Sequence, residues 1–124
     1  MNIIISGDSL IPLYEQITNQ IKEQILQGKI DQGSLLPSIR MMAKELKVSI
    51  ITVKRAYEDL EAEGFVETVP SKGTYVSLNN KERLREIRMS QIEQQLEEVI
   101  IAAKSIDMSL EELQKRILLI YEEV

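Results

Sequence analysis

Residues 37–60 read PSIRMMAKELKVSIITVKRAYEDL and hold two helix starts in quick succession. Ser38, directly after Pro37, is an N-cap candidate, because a serine hydroxyl takes up one of the free N–H groups of a first helical turn. Ile39, Met42, Ala43 and Leu46 then recur at helical spacing and form one inward face. Only Lys47 and Val48 separate this helix from a second cap candidate, Ser49. The helix it opens is predicted over about residues 50–63, with Val53, Ala56, Tyr57 and Leu60 inward and Gly64 as its stop. Two short helices joined by so short a turn are the mark of a helix-turn-helix. On the second member Ser49, Thr52, Lys54 and Arg55 are left free to face a partner.

Working outward, Leu13, Tyr14, Ile17, Ile21 and Ile25 repeat at helical spacing between Pro12, suited to a first helical position, and Gly28. Residues 29–36, with Asp31 and Gly33, read as a turn-rich link. Residues 65–68 and 74–77 are rich in β-branched and aromatic side chains and flank the turn-forming Val69-Pro70-Ser71-Lys72-Gly73. That pattern predicts a small antiparallel hairpin, a wing. Beyond it, Leu84, Ile87, Ile92, Leu96, Val99, Ile100 and Ala103 form one apolar stripe. After a break at Ser105-Ile106-Asp107, a second stripe runs through Leu110, Leu113, Ile117, Ile120 and Val124 in alternating steps of three and four. Two such helices cannot bury both stripes against each other alone, so the excess apolar face asks for a partner chain or the main domain. The fold expected is mainly α with a small β-hairpin: a winged helix-turn-helix domain over residues 1–78 and a two-helix C-terminal dimerisation tail over residues 79–124. The heptad-like spacing in the tail predicts a homodimer through Leu84, Ile92, Leu96, Val99, Leu110, Leu113, Ile117 and Ile120.

Composition narrows the chemistry. The 124 residues contain neither cysteine nor histidine, which removes disulfides, thiolate metal sites and the commonest metal ligand and general base. The acid pairs Glu97-Glu98, Glu111-Glu112 and Glu122-Glu123 are adjacent, so on a helix they diverge and cannot act as a paired acid and base. No phosphate loop or nucleophile elbow is present. An enzyme is not expected, and neither is a cofactor or a metal. No apolar run reaches the ~18 residues of a membrane helix. The start, Met1 to Gly7, lacks the basic and apolar regions of a signal peptide, so a cytoplasmic location and no membrane partner are expected.

The net charge is −5, yet Ser38 to Arg55 holds Arg40, Lys44, Lys47, Lys54 and Arg55 against Glu45 alone, a local +4. A chain that meets phosphate needs a positive face rather than a positive total.

These residues are familiar as a set. Leu36-Pro37-Ser38-Ile39-Arg40, Met42-Ala43, Val48-Ser49, Thr52-Val53-Lys54, Ala56, Leu60, Glu63-Gly64-Phe65-Val66 and Lys72-Gly73-Thr74-Tyr75-Val76 follow one another in order. Together they resemble the DNA-binding domain of the GntR family of bacterial regulators over residues 28–76. The short tail is similar to the YtrA-type subgroup, in which two helices mediate dimerisation and larger relatives carry an effector-binding domain instead. The resemblance implies a sequence-specific transcription regulator, a repressor in the simplest mechanism, that binds a near-palindromic double-stranded operator as a homodimer. That subgroup often controls operons for transporters of the ABC type. The alternative is a winged helix used only for protein contacts, without specific DNA binding.

Within this reading each residue has an expected role. Arg40, near the start of the helix that crosses the DNA backbone, is a two-pronged phosphate clamp. Ser38 and Ser49 stand at helix N-termini that suit phosphate. Thr52 and Lys54 lie on the reading face, and Arg55, about 100° round from Lys54, is an adjoining contact. Lys72 and Gly73 bring charge and close backbone approach to the minor groove. Tyr14, Tyr57 and Tyr75 are expected to pack structurally with their hydroxyls at the surface. Two positions depart from the family pattern. Ile39 stands where an acid is frequent, and Ile50 stands where an arginine often follows the Val-Ser pair, which removes a DNA-contacting cation.

Overall fold

The structure is a computed structural model that describes residues 1–78 and 81–124. Its elements are α1 (Leu13–Leu26), α2 (Ile39–Leu46), α3 (Ile50–Ala62), β1 (Val66–Val69), β2 (Gly73–Val76), α4 (Lys81–Ser105) and α5 (Leu110–Glu123). They form two compact units, Met1–Arg85 and Glu86–Val124, which divide within α4.

In the first unit α3 is the central helix. Its Val53, Ala56, Tyr57 and Leu60 are buried together with Ile17, Ile21 and Ile25 of α1 and Met42 and Ala43 of α2. Each fully buried isoleucine or leucine contributes about 1.5–3 kcal/mol relative to an exposed one, so this shared core fixes the orientation of all three helices. The turn between α2 and α3 is closed without glycine: Lys47 takes the left-handed conformation at φ 57° and the Val48 N–H donates to the Ala43 carbonyl at 3.0 Å. At the far end of α3, Gly64 sits at φ +84°. The Gly64 N–H donates to the Glu61 carbonyl and the Phe65 N–H to the Leu60 carbonyl, at 3.0 and 2.9 Å. This paired closure reverses the chain and drops Phe65 and Val66 into the core, where the wing begins.

The wing pairs Val66 with Val76, Glu67 with Tyr75, Thr68 with Thr74 and Val69 with Gly73. The link before α2 adds a third edge that its turn-rich composition did not announce. Leu35 bridges Tyr75 in antiparallel sense, and the Leu36 N–H donates to the Thr74 carbonyl at 2.8 Å. The segment that leads into α2 is thereby bonded to the wing itself.

The first residues also have a defined place. Gln16, Gln20 and Gln24, spaced four apart on α1, bond Ser6, Ile4 and Asn2 in antiparallel order. Gln20 behaves as a backbone amide would: its Oε1 accepts from the Ile4 N–H at 2.8 Å and its Nε2 donates to the Ile4 carbonyl at 2.6 Å. The match is metric, because four helical residues rise about 6 Å and two extended residues about 6.6 Å. Gln16, buried, also donates to the Ile11 carbonyl.

Leu84, expected on the dimer face, is instead only 9% exposed within the N-terminal unit and has little surface left for a partner chain.

The second unit is two helices joined at Ser105–Ser109. The Asp107 backbone is left-handed at φ 57°, and Ser109 caps α5 by accepting from the Glu112 N–H at 3.1 Å. Ala103 is the one buried residue of Glu86–Val124. Ile92, Leu96, Val99, Leu110, Ile117 and Ile120 are all exposed, and Leu113 is half-buried.

Candidate nucleic-acid interface

Two helix N-termini and the wing tip carry the residues expected to meet DNA. Ser38 and Ser49 are true N-caps: their hydroxyls accept from the Met41 and Thr52 N–H groups, each at 3.1 Å. The first turns of α2 and α3 contain no acid, whereas α1 carries Glu15, α4 Glu82 and α5 Glu111 and Glu112. A first-turn carboxylate would neutralise the partial positive charge of a helix N-terminus, so these two helices keep theirs available for an anion.

Ser38 and Arg40 at the start of α2 line one groove of about 500 Å³ with Ser71, Lys72 and Gly73 of the wing. The structure thus brings together four of the expected contacts. Arg40 is exposed, and among the described residues it pairs with no acid, Glu45 included. Lys72 is exposed at the tip, where its N–H closes a turn on the Val69 carbonyl at 3.0 Å with Ser71 at φ 68°. Gly73 has φ +125°, and a Cβ there would come within 2.8 Å of Leu35 Cδ1. An intramolecular contact and the backbone conformation therefore call for this glycine, apart from any approach to DNA.

The α3 residues stand differently. The Ser49 and Thr52 hydroxyls share a hydrogen bond at 2.8 Å, and each keeps capacity for a further partner. Lys54 lies 3.9 Å from Glu58, both about two-thirds exposed, a loose pair worth little that a phosphate or base edge could displace. Arg55 departs from the expected role: its guanidinium stacks 3.7 Å over the Tyr14 ring, so it ties α3 to α1 rather than standing free.

Sequence reasoning missed the part played by Tyr57. Its hydroxyl was expected at the surface, but the residue is buried and donates to the Pro37 carbonyl at 2.7 Å. Burial pushes its pKa well above the ordinary tyrosine value of 10.0. The bond anchors the residue before the α2 cap to the middle of α3. A second missed feature is apolar: Ile51 is exposed in the first turn of α3, beside Ile50, the residue already set apart for the cation it lacks. Among the described residues no group of His, Cys, Asp or Glu is arranged to hold a metal ion, and no helix is long and apolar enough to cross a membrane.

Against known proteins, residues 13–76 match the gntR family of bacterial regulatory proteins, a span from α1 to the end of β2. The chain is 42% identical over 111 residues to the HTH-type transcriptional repressor YtrA of Bacillus subtilis, covering 90% of this chain and 85% of that one. Among solved structures, a transcriptional regulator from Oenococcus oeni superposes with a TM-score of 0.77 at 26% identity, over 94% of this chain and 97% of the other. AraR(DBD) in complex with operator ORX1 superposes with a TM-score of 0.56 at 28% identity, over 62% of this chain and 96% of that one. The chain belongs to the gntR family of bacterial regulatory proteins, as a DNA-binding transcription regulator whose winged helix-turn-helix runs from α1 to β2.

Proposed function

We propose that this regulator is a repressor that binds a near-palindromic operator as a homodimer and occludes a promoter, in the cytoplasm. The observation that carries the reading is the groove in which Arg40, Lys72 and the acid-free start of α2 converge, beside α3 with its own capped and acid-free N-terminus. In a helix-turn-helix the first helix crosses the phosphate backbone and the second enters the major groove. Arg40, Ser38 and Lys72 then hold backbone, while Ser49, Thr52 and Lys54 meet phosphate and base edges. Repression is supported by the Bacillus subtilis relative, a transcriptional repressor, and operator binding by the AraR(DBD) complex. The homodimer is supported by the uncovered apolar residues of Glu86–Val124. A two-fold protein reads a two-fold site, with half-sites about one helical turn, roughly 10 base pairs, or another fixed spacing apart. The resemblance to the YtrA-type subgroup, which often controls transporter operons, supports a transporter operon as the regulated target.

A gel-shift titration against the DNA upstream of the protein's own gene tests the reading, with scrambled duplex as competitor. Specific retardation is expected at nanomolar to tens-of-nanomolar protein. Equal affinity for operator and scrambled duplex at every salt concentration would overturn it.

A further inference from the structure

We infer that Ile50 and Ile51 read thymine 5-methyl groups in the major groove, so that operator choice depends on T·A pairs beneath the start of α3. The inference rests on the DNA-binding reading and deepens it. Ile51 is 78% exposed and Ile50 50% exposed, directly after the Ser49 cap. Val53 is fully buried, and Ile51, two residues before it, lies about 200° away around the helix. It therefore points away from the core, on the side where Lys54 and Arg55 are also exposed. The first residues of the second helix are those that meet base edges when such a motif docks.

The chemistry of the two side chains selects the partner. They neither donate nor accept a hydrogen bond, and among the four bases only thymine presents a methyl group in the major groove. An isoleucine over guanine would strip water from N7 and O6 and return nothing, so that base is disfavoured as well as unrewarded. A protein partner fits the patch poorly. A stable interface buries about 800 Å² on each side, far more than two isoleucines supply. Lys54, four residues after Ile50, and Arg55, four after Ile51 and stacked on Tyr14, are exposed cations beside the patch, which suits a polyanion.

The test begins by selecting operators from random duplexes with the full chain. Each thymine of the half-site is then replaced in turn by deoxyuridine, which removes the methyl group and keeps the pairing. A loss of roughly fourfold per contacted methyl is expected at one or two positions in each half-site, the factor that goes with burying one methylene-sized group. Ile51→Ala and Ile50→Ala should abolish that sensitivity while melting like the parent chain, because both side chains are exposed. If operators are selected but every uracil is tolerated, the inference fails and the DNA-binding reading stands. If nothing is enriched over random duplex, both fall together. If the alanine variants instead lose self-association in sedimentation and keep the uracil response, the patch is a protein interface and the inference is overturned.

Discussion

The Tyr57 hydroxyl on α3 donates to the Pro37 carbonyl at 2.7 Å, one residue before the cap of α2. A buried side chain of one helix of the motif thus sets where the other begins. The Leu36 N–H, bonded to the Thr74 carbonyl, joins the same point to the wing. Helix, helix and wing meet at Leu36-Pro37, and Ser38 and Arg40 follow from there.

Tyr57→Phe removes that bond and leaves the Pro37 carbonyl without its partner, so thermal unfolding should show a loss of about 1–2 kcal/mol. Alkaline behaviour gives a second readout. The folded-state pKa of Tyr57 is raised by burial, so the unfolded chain ionises this residue first. Its contribution is fully present below the ordinary pKa of 10.0 and is lost progressively as pH rises beyond it. Stability of the parent should fall more steeply above that pH than stability of the Phe variant. Parallel profiles would show that Tyr57 is not protected from ionisation.

Gln16→Leu tests the attachment of the N-terminal segment. Gln16 bonds the Ser6 N–H, the Ser6 carbonyl and the Ile11 carbonyl, and leucine can replace none of these. Amide exchange at Ser6 should accelerate at least tenfold, the factor that follows from losing about 1.4 kcal/mol of local closure. Cleavage by a nonspecific protease within residues 1–10 should rise with it. Unchanged protection would mean that the half-buried Ile3 and Ile5 hold the segment without the glutamines.

Much of the fold is legible in the sequence, and the misses have physical causes. The inward faces of α1, α2 and α3 are legible because Ile17, Met42, Val53 and Leu60 recur at the helical period, and both caps because serine stands before each run. The wing is legible from its β-branched residues around Pro70 and Gly73. The Leu35 bridge is not, because a single bridging residue has no period. The glutamine ladder is not, because glutamine on a helix reads as a solvated face until something lies against it. Arg55 and Tyr14 are 41 positions apart, and no local pattern announces that they stack. Leu84 groups with the tail because it shares the stripe of α4, although its own turn packs into the first unit.

Gly73→Ala bears on the wing. A φ of +125° is strained for any residue with a Cβ, and that Cβ would press on Leu35. A loss of about 1–3 kcal/mol is expected in chemical denaturation. Gly73→Ala combined with Leu35→Ala should recover only the steric part, since the backbone strain remains. Full recovery in the pair would assign the whole cost to the Leu35 clash.

The tail variant Ile117→Glu with Ile120→Glu puts two charges on the exposed stripe of α5. If that stripe is the dimer seam, light scattering should show a dimer for the parent and a monomer for the variant. Operator affinity should fall roughly a hundredfold or more, since two linked half-site interactions are reduced to one. The fold of Met1–Arg85 should be unaffected by circular dichroism. A parent chain that is monomeric at micromolar concentration would remove the dimer from the proposal.

Arg40 and Lys54 separate anchoring from reading. Arg40 is exposed, without an acidic partner among the described residues, and shares its groove with Lys72, the arrangement suited to a phosphate. Arg40→Ala should therefore weaken operator and random duplex by similar factors. It should also lower the slope of log affinity against log salt by about one for each phosphate that is no longer neutralised. Lys54 sits on α3 in a loose pair with Glu58. If it meets a base edge, Lys54→Ala should cost roughly 1–3 kcal/mol on the operator and much less on random duplex. If it meets phosphate, its effects will match those of Arg40→Ala on both DNAs and in the salt slope. Thr52→Ala supplies the uncharged comparison: Thr52 carries no charge, so its removal leaves the slope untouched whichever partner it meets. An Arg40→Ala chain that keeps its affinity for random duplex while losing the operator would move Arg40 from anchor to reader.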